Sequence, residues 1–256
     1  MSNSLYVCLG ICLPFILTTI GSSLVYVFKS NINKKISAVI TGFSAGIMIA
    51  ASVWSLILPS FSYDSGLGKW NFLPAIIGIL IGCFLILLID IIIHKFYRKD
   101  DNLENKNLTR FIIAFTMHNI PEGLAVGFAF GNALATNSQI ALIGAMGLTI
   151  GISLQNLPEG AAVSLPVYQA TKNKTKAFFI GSFSGIVEPI FAVIGLLLAT
   201  YIESLMPWLL CFSAGAMIFV TIEDLVPESK LENSHIGTWG FILGFILMML
   251  LDICLG

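Results

Sequence analysis

Two short segments carry the side chains best suited to chemistry: His118-Asn-Ile-Pro-Glu-Gly123 and Gln155-Asn-Leu-Pro-Glu-Gly160. In a helix His118 and Glu122 stand four residues apart and share one face, as do Gln155 and Glu159. Two such helices, antiparallel and facing, bring one imidazole nitrogen, two carboxylates and one amide oxygen to a single point. That donor set suits Zn²⁺ and tolerates Mn²⁺, Fe²⁺ or Cd²⁺. One imidazole without a thiolate binds such an ion only moderately. Pro121 and Pro158 precede the glutamates; each removes an N–H and frees a carbonyl four residues back, Met117 and Leu154. The helix then bends beside the ligands, and Gly123 and Gly160 leave room for close packing.

Glu122, Glu159 and a third acid, Glu188, all lie inside apolar runs. A charge at a bilayer centre costs roughly 2.5–3.5 kcal/mol on insertion scales, so the three put about 8–10 kcal/mol at stake. No Lys or Arg sits in the core of these runs to pair with them. A divalent cation is the most economical partner.

The elements that must hold these groups are membrane helices. Of 256 residues 57% are hydrophobic and 11% charged, with a mean hydropathy of +0.92. A water-soluble surface of this size needs more charge than that. The net charge of −1 gives no footing for nucleic acid. The five cysteines lack a CxxC pair and read as buried, free, small apolar residues. A bilayer core needs roughly 20 apolar residues per helix. Such runs predict eight spans, near 5–28, 36–58, 71–93, 110–131, 138–167, 177–200, 206–226 and 236–255, in a single domain over 1–256. The fifth is long enough to extend past the membrane. The first lacks a basic leader and is read as a retained helix.

Charge sets the orientation. Lys29, Lys34 and Lys35 fall between spans one and two. Lys95, Arg98, Lys99, Lys106 and Arg110 fall between three and four, Lys172, Lys174 and Lys176 between five and six, and Lys230 between seven and eight. Lys69 alone falls on the opposite side. The positive-inside rule makes those four loops cytoplasmic and both termini extracytoplasmic, in a multi-pass plasma (inner) membrane protein.

The chain also repeats itself. Phe43-Ser-Ala-Gly-Ile-Met-Ile49 in span two matches Phe212-Ser-Ala-Gly-Ala-Met-Ile218 in span seven. Spans three and eight align through Gly78 and Gly240, Gly82 and Gly244, and Asp90 and Asp252. Pro14 in span one answers Pro189 in span six. Spans 1–3 therefore recur as spans 6–8, in opposite orientation because five helices separate each from its copy. Inverted repeats suit alternating access. The two hexads form a second, adjacent pair.

With HNIPEG at 118–123, QNLPEGAAVSLP at 155–166, VEP at 187–189, AGIM at 45–48, and AGAMIF with IEDLVPES between 214 and 229, the chain resembles the ZIP (Zrt/Irt-like) metal-transporter family. It is nearest the bacterial GufA-like branch. The resemblance implies a transport site at His118, Glu122, Gln155 and Glu159. It implies a neighbouring second metal position at Asn119, Asn156 and Glu188, bridged by Glu122 and Glu159. Many relatives carry Asp where this chain has Asn156, so the cluster here holds one negative charge fewer. Glu223 and Asp224 fall along the cytoplasmic exit of relatives. The family also implies import of a divalent metal, zinc foremost, toward the cytoplasm. It implies a homodimer, and motion of helices 1, 4, 5 and 6 against helices 2, 3, 7 and 8. The metal is cargo, with no separate cofactor. His94 and His235 read as interfacial side chains, and Asp90 and Asp252 have no assigned role. A metal channel on the same site is one rival; an intramembrane metalloenzyme is another, though the HExxH ligand set such enzymes use is absent.

Overall fold

The computed structural model describes residues 3–27, 33–63, 67–97, 103–201 and 205–255. Within those helices the side chains of His94 and His118, among others, lie outside the described set. Among the described residues the chain is helical, with no strand. Its helices are α1 (Asn3–Ser23, continued by a 3₁₀ turn at Leu24–Tyr26), α2 (Lys34–Ser60), α3 (Leu73–Tyr97) and α4 (Leu103–Ala135). They continue as α5 (Gln139–Thr171), α6 (Lys174–Ser184 and Val187–Tyr201), α7 (Met206–Ser229) and α8 (Ile236–Leu255).

Among the described residues seven helices, α1 to α3 and α5 to α8, are long and apolar enough to cross a membrane. Outward-facing side chains include Leu80 and Phe84 on α3 and Leu243 on α8, each more than half exposed on the bare protein. Lipid is the solvent such a surface fits. The five cysteines are free, but Cys8, Cys12 and Cys254 face outward rather than into the core. They sit on the lipid-facing stripes of α1 and α8, which apolarity alone does not distinguish from the buried stripes.

Lys106 and Arg110, expected in a loop, belong to the backbone of α4, and Lys95 to that of α3. Hydropathy marks where lipid ends, not where a helix ends, and charged residues continue a helix readily into water. α5 runs 33 residues, about 50 Å, well beyond a bilayer core of about 30 Å. Caps set several boundaries: the side chains of Asn33, Ser138 and Asn173 accept from Lys35, Ala141 and Lys176 N–H at the starts of α2, α5 and α6. Lys172 ends α5 in the left-handed region, at φ 55°.

The helices pack most closely as α2 with α8, α3 with α7, α1 with α5, and α4 with α6. Exchanging 1 with 6, 2 with 7, 3 with 8 and 4 with 5 leaves that pattern unchanged. Single atoms obey the same exchange. Gly46 abuts the Phe241 carbonyl, and its counterpart Gly215 abuts that of Ile79. Gly82 meets Phe212, as Gly244 meets Phe43; Gly78 meets Trp208, as Gly240 meets Val39. The inverted repeat is thus built into the packing.

Helices 1 and 6 correspond at a different offset from the one the prolines suggested. Gly123 lies against the backbone of Glu188 and Gly160 against that of Thr18, so Thr18, not a residue near Pro14, is the counterpart of Glu188. Pro189 recurs for a local reason given below.

The glycine seams also divide the molecule. Those with backbone neighbours lie within the set α1, α4, α5, α6 or within the set α2, α3, α7, α8. Between the sets Gly151 meets the flexible end of Met248. Two bodies, each zipped tightly, share a softer interface.

α2 and α7 each widen into a π-turn, at Ser52–Ile57 and Thr221–Leu225, again at matching places. In each, an N–H reaches back five residues, Leu58 to Val53 and Val226 to Thr221. Pro59 and Pro227 follow directly and supply no N–H for a regular ladder.

Candidate metal site

The hexads stand near the middle of α4 and α5, which pack against each other. Glu122, Gln155 and Asn156 are fully buried, and Asn119, Glu159 and Glu188 nearly so. The three carboxylates are within coulombic reach of one another: Glu122 of Glu159 and Glu188, and Glu188 of Glu159.

The amides organise the cluster through their N–H groups, two given to its own carboxylates and one to a neighbouring backbone carbonyl. Gln155 Nε2 donates to Glu122 Oε1. Asn156 Nδ2 donates to Glu188 Oε2 at 2.5 Å, and Asn119 Nδ2 donates to the Ser184 carbonyl at 3.1 Å. Thr18 Oγ1 adds a longer contact to Glu188 Oε1, at 3.4 Å, and also reaches the Pro14 carbonyl, at 3.1 Å.

Ser184 offers its carbonyl because α6 breaks beside it. Pro189 has no N–H for the Gly185 carbonyl, and the Glu188 N–H turns to Gly185 instead, at 3.1 Å. In a continuous helix that N–H would bond Ser184. The orphaned Ser184 carbonyl is the one Asn119 takes up. One proline thus sets the α6 turn, Glu188 and Asn119 together.

With the nitrogens committed, five oxygens are buried without a donor among the described residues: Asn119 Oδ1, Glu122 Oε2, Gln155 Oε1, Asn156 Oδ1 and Glu159 Oε2. Buried acceptors are almost always satisfied. A set of five hard oxygens in one cluster has the donor chemistry that a cation prefers. Among the described residues no three His, Cys, Asp or Glu side chains are gathered as for a metal ion. The acids here alternate with amides, and the His118 side chain, one turn before Glu122, lies outside that set.

The model of the family described as ZIP Zinc transporter matches residues 108–252, from α4 through α8. The chain belongs to the ZIP family. Zinc transporter ZIP11 of Xenopus tropicalis is 32% identical, covering 97% of this chain and 96% of its own. Zinc transporter GufA of Myxococcus xanthus is 31% identical over 89% of this chain and 90% of its own. Zinc transporter ZupT of Streptococcus mutans serotype c is 34% identical over 90% of each. This is an all-α integral membrane ZIP protein of the GufA-like branch.

Within this ZIP chain the structure gathers Asn119, Glu122, Gln155, Asn156, Glu159 and Glu188 into one buried group. Glu223 and Asp224 lie apart from it, exposed in the π-turn of α7. Three contributors escaped the sequence reading. Thr18 is hidden by the wrong offset between helices 1 and 6. The Ser184 carbonyl depends on backbone geometry alone. The third, Glu228, exposed in the IEDLVPES stretch of 222–229, adds only a longer-range charge toward Glu159. Asp252, left without a role, accepts a hydrogen bond from Ser55 at 2.6 Å.

Proposed function

We propose that this protein carries Zn²⁺ across the plasma (inner) membrane into the cytoplasm, by alternating access through the paired hexads. The supporting observation is the group of five oxygens, buried and without a donor among the described residues, on two packed helices that each carry a proline before the glutamate. The names of the relatives supply the metal, since each is a zinc transporter. The cluster suits moderate binding, with Glu122 and Glu159 as shared ligands, His118 and Gln155 completing the transport position, and Asn119, Asn156 and Glu188 beside it. Zinc is cargo, and no catalytic step is assigned.

The two glycine-zipped bodies supply the moving parts, and their inverted relation supplies two equivalent arrangements. A cavity of about 810 Å³ is lined by Trp54, Ser55, Asn132, Thr136, Ala145 and Asp252, among others. It reaches Ala129 and Leu148, seven residues along α4 and α5 from Glu122 and Gln155, or about 10 Å. By the distribution of lysines it opens on the extracytoplasmic side, where both termini also lie in an eight-span topology. The cavity is then the entry vestibule, and Glu223 and Asp224 line the exit. The homodimer rests on family membership alone.

Vesicles reconstituted with the purified protein test the reading through zinc uptake. Glu122→Ala and Glu159→Ala each reduce uptake to near background while the protein still inserts. Normal uptake by both variants overturns it.

A further inference from the structure

We propose that Ser213 and Ser44 are paired positioning residues, each latching the backbone beside one site glutamate in one of the two access states. This rests on the alternating-access reading above.

Ser213 Oγ donates to the Pro121 carbonyl at 2.6 Å, and the bond is buried. Pro121 immediately precedes Glu122. Ser213 belongs to α7, in the body of α2, α3, α7 and α8; Pro121 belongs to α4, in the other. The bond therefore spans the softer interface and ties the segment carrying a site carboxylate to the opposite body. A carbonyl has two lone pairs, so it accepts this hydroxyl alongside a helical partner.

The repeat supplies a second copy of every part. Ser44 occupies in Phe43-Ser-Ala-Gly46 the place Ser213 holds in Phe212-Ser-Ala-Gly215, and Pro158 answers Pro121. α2 packs on α5 as α7 packs on α4. Ser44 is buried. Yet among the described residues it makes no hydrogen bond to Pro158. Inside each body the repeat symmetry is kept at the paired glycines, Gly46 with Gly215, Gly78 with Gly240, Gly82 with Gly244 and Gly123 with Gly160; between the bodies it is broken at this pair. An inverted repeat caught in one state shows that pattern, because the opposite state is its mirror in sequence. There Ser44 latches Pro158, beside Glu159, and Ser213 lets go. One hydroxyl–carbonyl bond is exchanged for a near-identical one, which keeps the two states close in free energy as a carrier requires.

The test uses full-length protein with its native cysteines replaced and one reporter, Asn132→Cys, on the cavity wall. Labelling by a membrane-impermeant maleimide reads how often that cavity is open. Loss of one buried hydrogen bond shifts a two-state balance by about fivefold. From a near-even balance Ser213→Ala slows labelling by about threefold, that fivefold shift read as an open fraction, Ser44→Ala speeds it toward the fully open rate, and the double variant returns close to the parent. Ser213→Thr keeps the hydroxyl and restores the parent rate. Should Ser213→Ala fail to insert, Ser44→Ala alone must speed labelling. Shifts in the same direction, or none, overturn the latch while leaving transport intact. Absence of zinc uptake by the parent in reconstituted vesicles overturns the transport reading itself, and the latch with it.

Discussion

Thr18 and Glu188 hold the same place in the two repeats and also touch each other, the Thr18 hydroxyl donating to Glu188 Oε1 at 3.4 Å. Two equivalent positions of the repeat meet where α1 passes α6, and only one of them is an acid. Glu188 is thereby held from two sides, by Thr18 and by Asn156. Partners of this kind, one step removed from a metal, typically influence affinity by 10–100-fold. The Thr18 bond is long, so the low end applies. Thr18→Val, equal in shape but without the hydroxyl, weakens zinc binding by about tenfold. Thr18→Ser preserves it. Equilibrium zinc titration of the two purified variants decides the matter; equal affinities would remove Thr18 from the site.

Much of the site was legible because polar groups stand out against lipid-facing sequence. Glu122, Glu159 and Glu188 had to have partners inside an apolar chain, and the hexad spacing put the first two on facing helices. The repeat was readable wherever small residues pack backbone to backbone, as at Gly46 and Gly215, since nothing larger fits. It misled at Pro14 and Pro189. Those prolines act on their own helices, and the true counterparts, Thr18 and Glu188, share no chemistry. The Asn119 bond to Ser184 was invisible for a related reason: it depends on a carbonyl, which every residue has. Charged helix ends such as Lys106 and Arg110 resemble loops in hydropathy while remaining helical.

The break in α6 yields a second expectation. Pro189→Ala returns an N–H to the Gly185 carbonyl and lets the Glu188 N–H go back to Ser184. Asn119 then shares its acceptor with a helical N–H that re-aims the carbonyl along the helix axis, which weakens a buried hydrogen bond worth about 0.5–1.5 kcal/mol, and Glu188 rotates with its backbone. Thermal unfolding in detergent falls by several degrees, and zinc affinity drops in the same variant. Unchanged melting and affinity would mean that Asn119 finds another partner without difficulty.

Acidity opposes loading. The carboxylates and the imidazole bind zinc in their deprotonated forms, so each proton displaced weakens apparent affinity by about tenfold per pH unit once that group is protonated. Zinc uptake into voltage-clamped vesicles therefore declines as the outside is acidified, and zinc binding releases protons. Calorimetric titration in two buffers of different ionisation enthalpy counts them. Binding with no proton release, at a pH where uptake has already fallen, would place the acid sensitivity outside the hexads.

The repeat makes a matched prediction about stability. A Cβ at Gly46 would strike the Phe241 carbonyl, and one at Gly215 the Ile79 carbonyl; both obstacles are rigid backbone rather than a side-chain end. Forcing helices apart at such a contact costs about 1–3 kcal/mol or more. Because the two seams are copies, Gly46→Ala and Gly215→Ala should destabilise the protein by similar amounts, read as parallel losses in melting temperature. Cys83→Ser is the control, since Cys83 already donates to the Gly215 carbonyl at 3.3 Å and a hydroxyl can do the same. A large loss at only one glycine would show that one body tolerates separation of its helices and the other does not, and the two halves would then differ mechanically despite their shared packing.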